Sequence, residues 1–159
     1  MAKKTMKSPE QFYNKNKYIF LIATLVVIMD QLAKYIVKTN MLLHQRIPLT
    51  SFFEITHTIN HGAGFSILQN FRWFFVIFTI VFLYLIYKYY IADKNFPRTA
   101  YTDFSVGLLI GGALGNFIDR LFLGYVTDFL AFSFWPTFNV ADSAVSVAAV
   151  MIIIWLWKN

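Results

Sequence analysis

Four apolar stretches, each close to the length a bilayer demands, constrain this chain more than any other feature. They run over residues 18–37, 73–91, 100–118 and 140–157. A helix rises about 1.5 Å per residue, so ~20 apolar residues cross a hydrocarbon core about 30 Å thick. With 159 residues in all, too little chain remains outside these stretches for a separate soluble core. The remainder of the composition agrees: 58% of residues are hydrophobic, 14% are charged, and the mean hydropathy is +0.55. A soluble domain of this size carries more charge than that. The expected fold is an all-α membrane protein of four transmembrane helices, forming one domain over residues 1–159.

The basic residues orient it. Lys3, Lys4, Lys7, Lys15 and Lys17 precede the first stretch, and Lys88, Lys94 and Arg98 crowd the link between the second and third. Because lysine and arginine are retained on the cytoplasmic side, both termini are expected there, and Lys158 agrees. The 38–72 and 119–136 connections then face the other side. The net charge of +6 is mostly this topological signal, supplemented by attraction to anionic lipid headgroups. No basic face with interleaved polar contacts suggests a nucleic-acid partner. The first stretch follows lysines, as in a signal peptide. However, it is too long, holds Asp30 and Lys34, and lacks a small-x-small cleavage site, so it reads as a retained anchor. With no cysteine in the chain, disulfides, thiolate metal sites and a cysteine nucleophile are excluded.

Between the spans, Phe53, Ile55, His57 and Ile59 alternate with Glu54, Thr56, Thr58 and Asn60. That period of two predicts a half-buried strand, and so a small extracytoplasmic β-sheet platform, completed by residues 125–129. Residues 1–17 read as a polar tail, and Pro136 as the turn into the last helix. Gly107, Gly111 and Gly115 recur every fourth residue in the third span with Gly112 beside them, the pattern of close helix packing. Gly62 and Gly64 suggest a tight loop after the strand.

Two aspartates stand at the edges of spans, where an ionisable group is costly and points to function. Asp128 follows the third span, and Asp142 opens the fourth. A strand-like exit, a turn and a helix start would bring their carboxyls together, the minimum equipment for metal-free acid–base hydrolysis. If Asn139 caps the fourth helix, Asp142 falls at its third position, where the helix dipole favours a carboxylate; Asp128 would then more readily hold a shared proton. Spacing alone leaves open a plainer reading, one capping residue and one solvated carboxylate. Asp30 and Lys34, four apart on one helical face, read as a neutralised structural pair. Asn116, Asp119 and Arg120 cluster at the end of the third span. Arg120 could pair with Asp119, contact a lipid phosphate or hold a substrate carbonyl. His57 and His61 lack a third ligand, so no metal is expected. Two rivals remain: a serine–lysine dyad of Lys34 with Ser66 or Ser143, and a small transporter relaying protons. The absence of an internal repeat, and two acids at one face rather than the midplane, count against the transporter.

Five segments occur in order: Asp30-Gln31-Leu32-Ala33-Lys34, Asn60-His61-Gly62-Ala63-Gly64-Phe65, Gly112 to Arg120, Val126-Thr127-Asp128-Phe129 and Phe138-Asn139-Val140-Ala141-Asp142-Ser143. Together they resemble the lipoprotein signal peptidases (signal peptidase II), aspartyl membrane enzymes of bacterial lipoprotein maturation. The family usually has alanine where this chain has Gly64. The resemblance implies that Asp128 and Asp142 form a catalytic dyad and that no cofactor is needed. It implies that Asn60, Gly62, Asn116, Arg120 and Asn139 position substrate or support the site, and that Asp30 and Lys34 are structural. The implied substrate is a prolipoprotein carrying diacylglycerol on a cysteine, cut just before that cysteine. The implied setting is the bacterial cytoplasmic (inner) membrane, with the site on its extracytoplasmic side. Membrane lipids would be the other partner of a monomeric enzyme.

Overall fold

Helix α1 covers Pro9–Asn40, α2 Arg72–Ile86 with a π-helical continuation over Tyr87–Ile91, α3 Ala100–Phe122 and α4 Val140–Lys158. The structure, a computed structural model, describes residues 9–62, 71–93 and 96–158, with side chains from residue 16 onward. All four helices are long and apolar enough to cross a membrane. The sequence reading placed the first span over residues 18–37; α1 is described from Pro9, so the polar stretch before the span is helical over its described residues. Gly64, Ser66 and Lys94 lie outside the described residues.

The central helix is α3, which packs against α1, α2 and α4. Its glycines explain how. A Cβ on Gly111 would lie 2.7 Å from Val26 Cβ and 2.8 Å from the Ala23 carbonyl on α1. On Gly112 it would overlap the Ala141 carbonyl of α4, and on Gly115 it would lie 2.7 Å from Asp30 Oδ2. Backbone-to-backbone contact of this kind is open only to residues without a side chain. It seats the beginning of α4 and the polar turn of α1 against the same stretch of α3. Most large apolar side chains of α2 and α4, such as Phe74, Phe78, Val150 and Leu156, point outward to where lipid would lie.

At one end of the bundle lies a four-stranded antiparallel sheet in sequential order: β1 Arg46–Pro48, β2 Phe53–Asn60, β3 Val126–Phe132 and β4 Trp135–Phe138. The expected platform is thus present, with two additional short strands. Pro136 lies within β4 rather than in a turn. An edge strand tolerates it, since one of its sides needs no ladder hydrogen bonds. The strict alternation expected along β2 fails. Ile55 pairs with Leu130, but Thr58 pairs with Asp128, so three steps on β2 match two on β3. This bulge moves Thr58 and Asn60 onto the face shared by Asp128 and Leu130. Without it Asn60 would point away from Asp128. Bulges recur beside functional sites because they re-aim a side chain in this way.

Candidate active site

The chain leaves α3 through Gly124, whose φ of +86° belongs to the left-handed region. Its N–H and that of Leu123 both donate to the Asp119 carbonyl, ending the helix and turning the chain into β3. Three residues into β3 comes Asp128, 1% exposed. At the other end of the β3–β4 hairpin Asn139 caps α4. The Asp142 N–H donates to Asn139 Oδ1 at 2.9 Å, and the Asn139 N–H donates to Asp142 Oδ2 at 3.2 Å. This reciprocal capping box places Asp142 at the third helical position, as the spacing predicts.

Asn139 joins the two aspartates. Its Nδ2 donates to Asp128 Oδ1 at 2.7 Å while its backbone N–H holds Asp142. Asn60 Nδ2 donates to Asp128 Oδ2 at 3.0 Å, and Asn116 Nδ2 to Asp142 Oδ1 at 2.7 Å. Each of the four carboxyl oxygens therefore accepts one N–H. Thr58 adds a hydroxyl bond to the Asp128 carbonyl at 3.0 Å. Gly62 donates its N–H to Asn60 Oδ1 at 2.9 Å and accepts from Arg120 Nη2 at 3.0 Å. Arg120 also lies over the Phe75 ring, 4.8 Å from its centroid, so it ties α3 to α2 and to the loop after β2.

Arg120 does not take Asp119 as its hydrogen-bonded partner. Asp119 instead completes a buried cluster beneath the two aspartates. Lys34 Nζ lies 2.7 Å from Asp30 Oδ2, 3.2 Å from Asp119 Oδ2 and 3.0 Å from Asn116 Oδ1. Gln31 Nε2 donates to Asp119 Oδ1 at 3.1 Å. Lys34 and Asp30 are 0% exposed and Asp119 is 1% exposed. The three ammonium protons are thus all engaged, which leaves Lys34 no role as the free base of a serine–lysine dyad. Ser143, the described candidate for that dyad, donates its hydroxyl to the Asn139 carbonyl. The histidines part company: His57 Nδ1 meets the Met41 carbonyl, and His61 meets the Tyr125 ring edge-on.

Sequence reasoning missed what this cluster grips. Asp30 Oδ1 accepts the Ala141 N–H at 2.9 Å, and Asp119 Oδ2 accepts the Thr127 N–H at 3.1 Å. Ala141 immediately precedes Asp142, and Thr127 immediately precedes Asp128. One buried lysine therefore organises two carboxylates, each holding the backbone one residue before an aspartate of the site. The signal available was one acid inside the first span and another just past the third; the backbone partners are set only by the fold.

A cavity of about 220 Å³ opens over the pair, lined by Asp128, Asp142, Asn60, Asn116, Arg120 and neighbours from β4. An adjoining cleft of about 420 Å³ is walled by Phe132, Phe134, Trp135, Phe138 and Val147, and shares Trp135, Phe138, Asp142 and Ser146 with the first. Burial pushes the Asp128 carboxyl from 3.8 up to about 7, and the charge of Asp142 adds to the rise, against the opposing amide donors Asn60 and Asn139. The sign for stability follows by linkage. The folded chain keeps this proton to about pH 7, whereas the unfolded chain releases it near 3.8. The stabilisation is complete below the unfolded value and is lost as pH rises through the folded one. Detergent melts should therefore give a lower Tm at pH 8 than at pH 5. In Asp128→Asn that difference should shrink; an unchanged difference would show that Asp128 is already ionised at pH 5.

Two carboxyls that share a cavity but differ in protonation can act as an acid and a base without a metal. Four membrane helices, a small sheet and this paired site define a membrane-embedded hydrolase architecture, and comparison with known proteins identifies it. Residues 22–158 match the family model described as signal peptidase (SPase) II. A lipoprotein signal peptidase of Halothermothrix orenii is 38% identical over 142 residues, covering 89% of this chain and 96% of the relative. One from Francisella tularensis subsp. novicida is 42% identical over 152 residues, covering 87% and 90%. Two solved bacterial membrane enzymes, determined by the in meso method at 2.3 and 1.9 Å resolution, are each 38% identical. They superpose with TM-scores of 0.82 and 0.79, covering 88% and 89% of this chain and 87% and 93% of theirs. The chain belongs to the signal peptidase II family, and is a multi-pass membrane peptidase.

Proposed function

We propose that this peptidase is of the aspartic type, with Asp128 and Asp142 as its dyad, and that it cuts diacylglyceryl-modified prolipoproteins just before the lipidated cysteine. The observation that carries the reading is Asn139, which holds both carboxyls at one cavity while their surroundings differ. Asp142 stands in the first turn of α4, where the helix dipole favours the carboxylate. Asp128 is the proton holder. In the forward step the Asp142 carboxylate takes a proton from water as its oxygen attacks the scissile carbonyl, and Asp128 donates its proton to the carbonyl oxygen. On collapse, the proton on Asp142 passes to the leaving amine of the cysteine, and a hydroxyl proton of the tetrahedral intermediate returns to Asp128. The balance closes on the starting enzyme.

Substrate fit follows from the two adjoining spaces. Arg120, Asn60 and Asn116 line the polar cavity and can bind peptide carbonyls near the cut. The aromatic cleft beside Asp142 suits an acyl chain on the cysteine side of the cut. A substrate anchored by its own lipid arrives by diffusion in the membrane plane. Lys17, Lys88, Arg98 and Lys158 lie at or beside the helix ends away from the sheet, which supports cytoplasmic termini and an extracytoplasmic site. Every group in this mechanism comes from a single chain, so a monomer suffices. The test is incubation of purified protein with a lipidated precursor and its unlipidated twin, with and without EDTA, read by gel shift. Cleavage of the lipidated form alone, indifferent to the chelator, is expected. Equal cleavage of both forms would overturn the substrate assignment, and zinc-restorable loss in EDTA would overturn the aspartic mechanism.

A further inference from the structure

The proposed hydrolysis makes no use of the buried ammonium of Lys34. Its significance emerges from the three asparagines around the dyad. An amide side chain has one acceptor oxygen and one donor nitrogen, and whichever end is pinned dictates what the other offers. Asn60 Oδ1 is pinned by the Gly62 N–H, and Asn139 Oδ1 by the Asp142 N–H, each at 2.9 Å. Both must then present Nδ2 to Asp128. Asn116 differs: its Oδ1 is held at 3.0 Å by Lys34 Nζ, a side chain on another helix, with a further bond from Asn139 Nδ2 at 3.1 Å. An ammonium only donates, so this contact cannot be made with the Asn116 amide reversed.

We infer that Lys34 is a positioning residue of the reaction: by fixing the Asn116 amide it directs Nδ2 onto Asp142 and keeps that carboxylate an acceptor, ready to take the proton of water. With the amide reversed, Asn116 Oδ1 would face Asp142 Oδ1, and two acceptors can share a contact only if Asp142 holds a proton. A protonated Asp142 cannot serve as the base. The charged groups that face Asp142 are Lys34 from α1, Arg120 from α3 and Asp128 from β3. Of these, Lys34 alone sets the direction of a hydrogen bond to it through an intervening side chain. The inference rests on Asp128 and Asp142 being the dyad.

Two paired variants isolate the donor from the charge. Lys34, Asp30 and Asp119 together carry a net charge of −1, from one cation and two anions. Asp30→Asn/Lys34→Met and Asp30→Asn/Lys34→Gln both leave Asp119 alone, so the net stays −1. In both, the amide oxygen at position 30 can still accept the Ala141 N–H. They differ in whether an N–H at position 34 can reach Asn116. The methionine pair should have a kcat ~10- to 100-fold below the glutamine pair, the worth of one hydrogen bond to a charged group. KM should be similar, and the acid-side half-maximum of its pH–rate profile should move to higher pH. Equal kcat and superimposable profiles would overturn the inference.

Should the methionine pair fail to fold, Asn116→Asp decides. It keeps an acceptor for Lys34 and Asn139 but puts a second carboxyl where the donor faced Asp142, so it adds a charge as well as removing the hydrogen bond. The expected result is a folded protein with kcat at least ~10-fold down at neutral pH; wild-type kcat would overturn the inference. Asp142→Asn run alongside separates the two levels. If it is inactive while the pairs behave alike, the role of Lys34 fails and the dyad stands; if it is active, the dyad itself fails.

Discussion

Asp128→Asn and Asp142→Asn are each expected to lower cleavage on the order of 10⁴-fold or more, with the protein still folded and inserted. Asparagine matches the shape of aspartate but can neither take a proton from water nor pass one to the substrate. In the proposed mechanism the two carboxyls act as one unit, so the double variant should be hardly worse than either single one. Stability separates this from misfolding. Each carboxyl accepts two N–H bonds, one per oxygen. An asparagine oxygen replaces one of them, and its amide turns a donor toward the other. That mismatch costs about 1–3 kcal/mol, and removing a carboxyl from a buried site offsets part of it. Melts in detergent should therefore show modest shifts beside a near-total loss of cleavage. Wild-type cleavage by either variant would remove that aspartate from the mechanism.

Such sensitivity is expected of a site whose two carboxyls arrive on unlike elements, one on a strand and one on a helix. Nothing in the β3–β4 hairpin alone fixes how a strand residue sits against a helix start. The buried cluster supplies that registration. Asp119 on α3 holds the backbone before Asp128, Asp30 on α1 holds the backbone before Asp142, and Lys34 holds both carboxylates. The glycines of α3 make this possible, since a side chain at Gly115 would occupy the space of Asp30. The membrane helices thus contribute more than an anchor: their polar turn sets the geometry at the surface.

Much of this was legible in the chain. Span length alone defined the four helices, and alternation along Phe53–Asn60 defined the central strand. The Asn139-x-x-Asp142 spacing anticipated the cap because that motif is local. What escaped was non-local. Two consecutive positions in β2 face one in β3, and no residue type between Ile55 and Thr58 marks a bulge. Asp119 looked like a partner for its neighbour Arg120, yet successive side chains on a helix diverge by about 100°. Asp119 turns inward to Lys34, and Arg120 turns toward Gly62 and Phe75. Sequence adjacency was a poor guide there; helix geometry was the better one.

Lys34→Met is expected to be the most destabilising single change in the cluster, and more so than Asp30→Asn. Removing the cation leaves Asp30 and Asp119 buried without the ammonium they both contact, a situation that costs about 3–5 kcal/mol. Against a total stability of about 5–15 kcal/mol, that is enough to lower the Tm sharply or prevent accumulation in the membrane. The sequence alone suggests that Asp30→Asn would strand Lys34 without a partner. The fold changes that expectation, because Lys34 keeps Asp119 at 3.2 Å and Asn116 at 3.0 Å. The new amide oxygen can also still accept the Ala141 N–H, so the cap on α4 survives. The two effects should therefore be strongly non-additive, with opposite sign to simple accumulation of damage. Adding Asp30→Asn to Lys34→Met removes one of the two stranded charges and should raise the Tm above that of Lys34→Met alone. Thermal melts of the two singles and the double in detergent complete the cycle. A double variant less stable than Lys34→Met would mean that the Ala141 N–H needs a charged carboxylate at position 30 and not merely an acceptor.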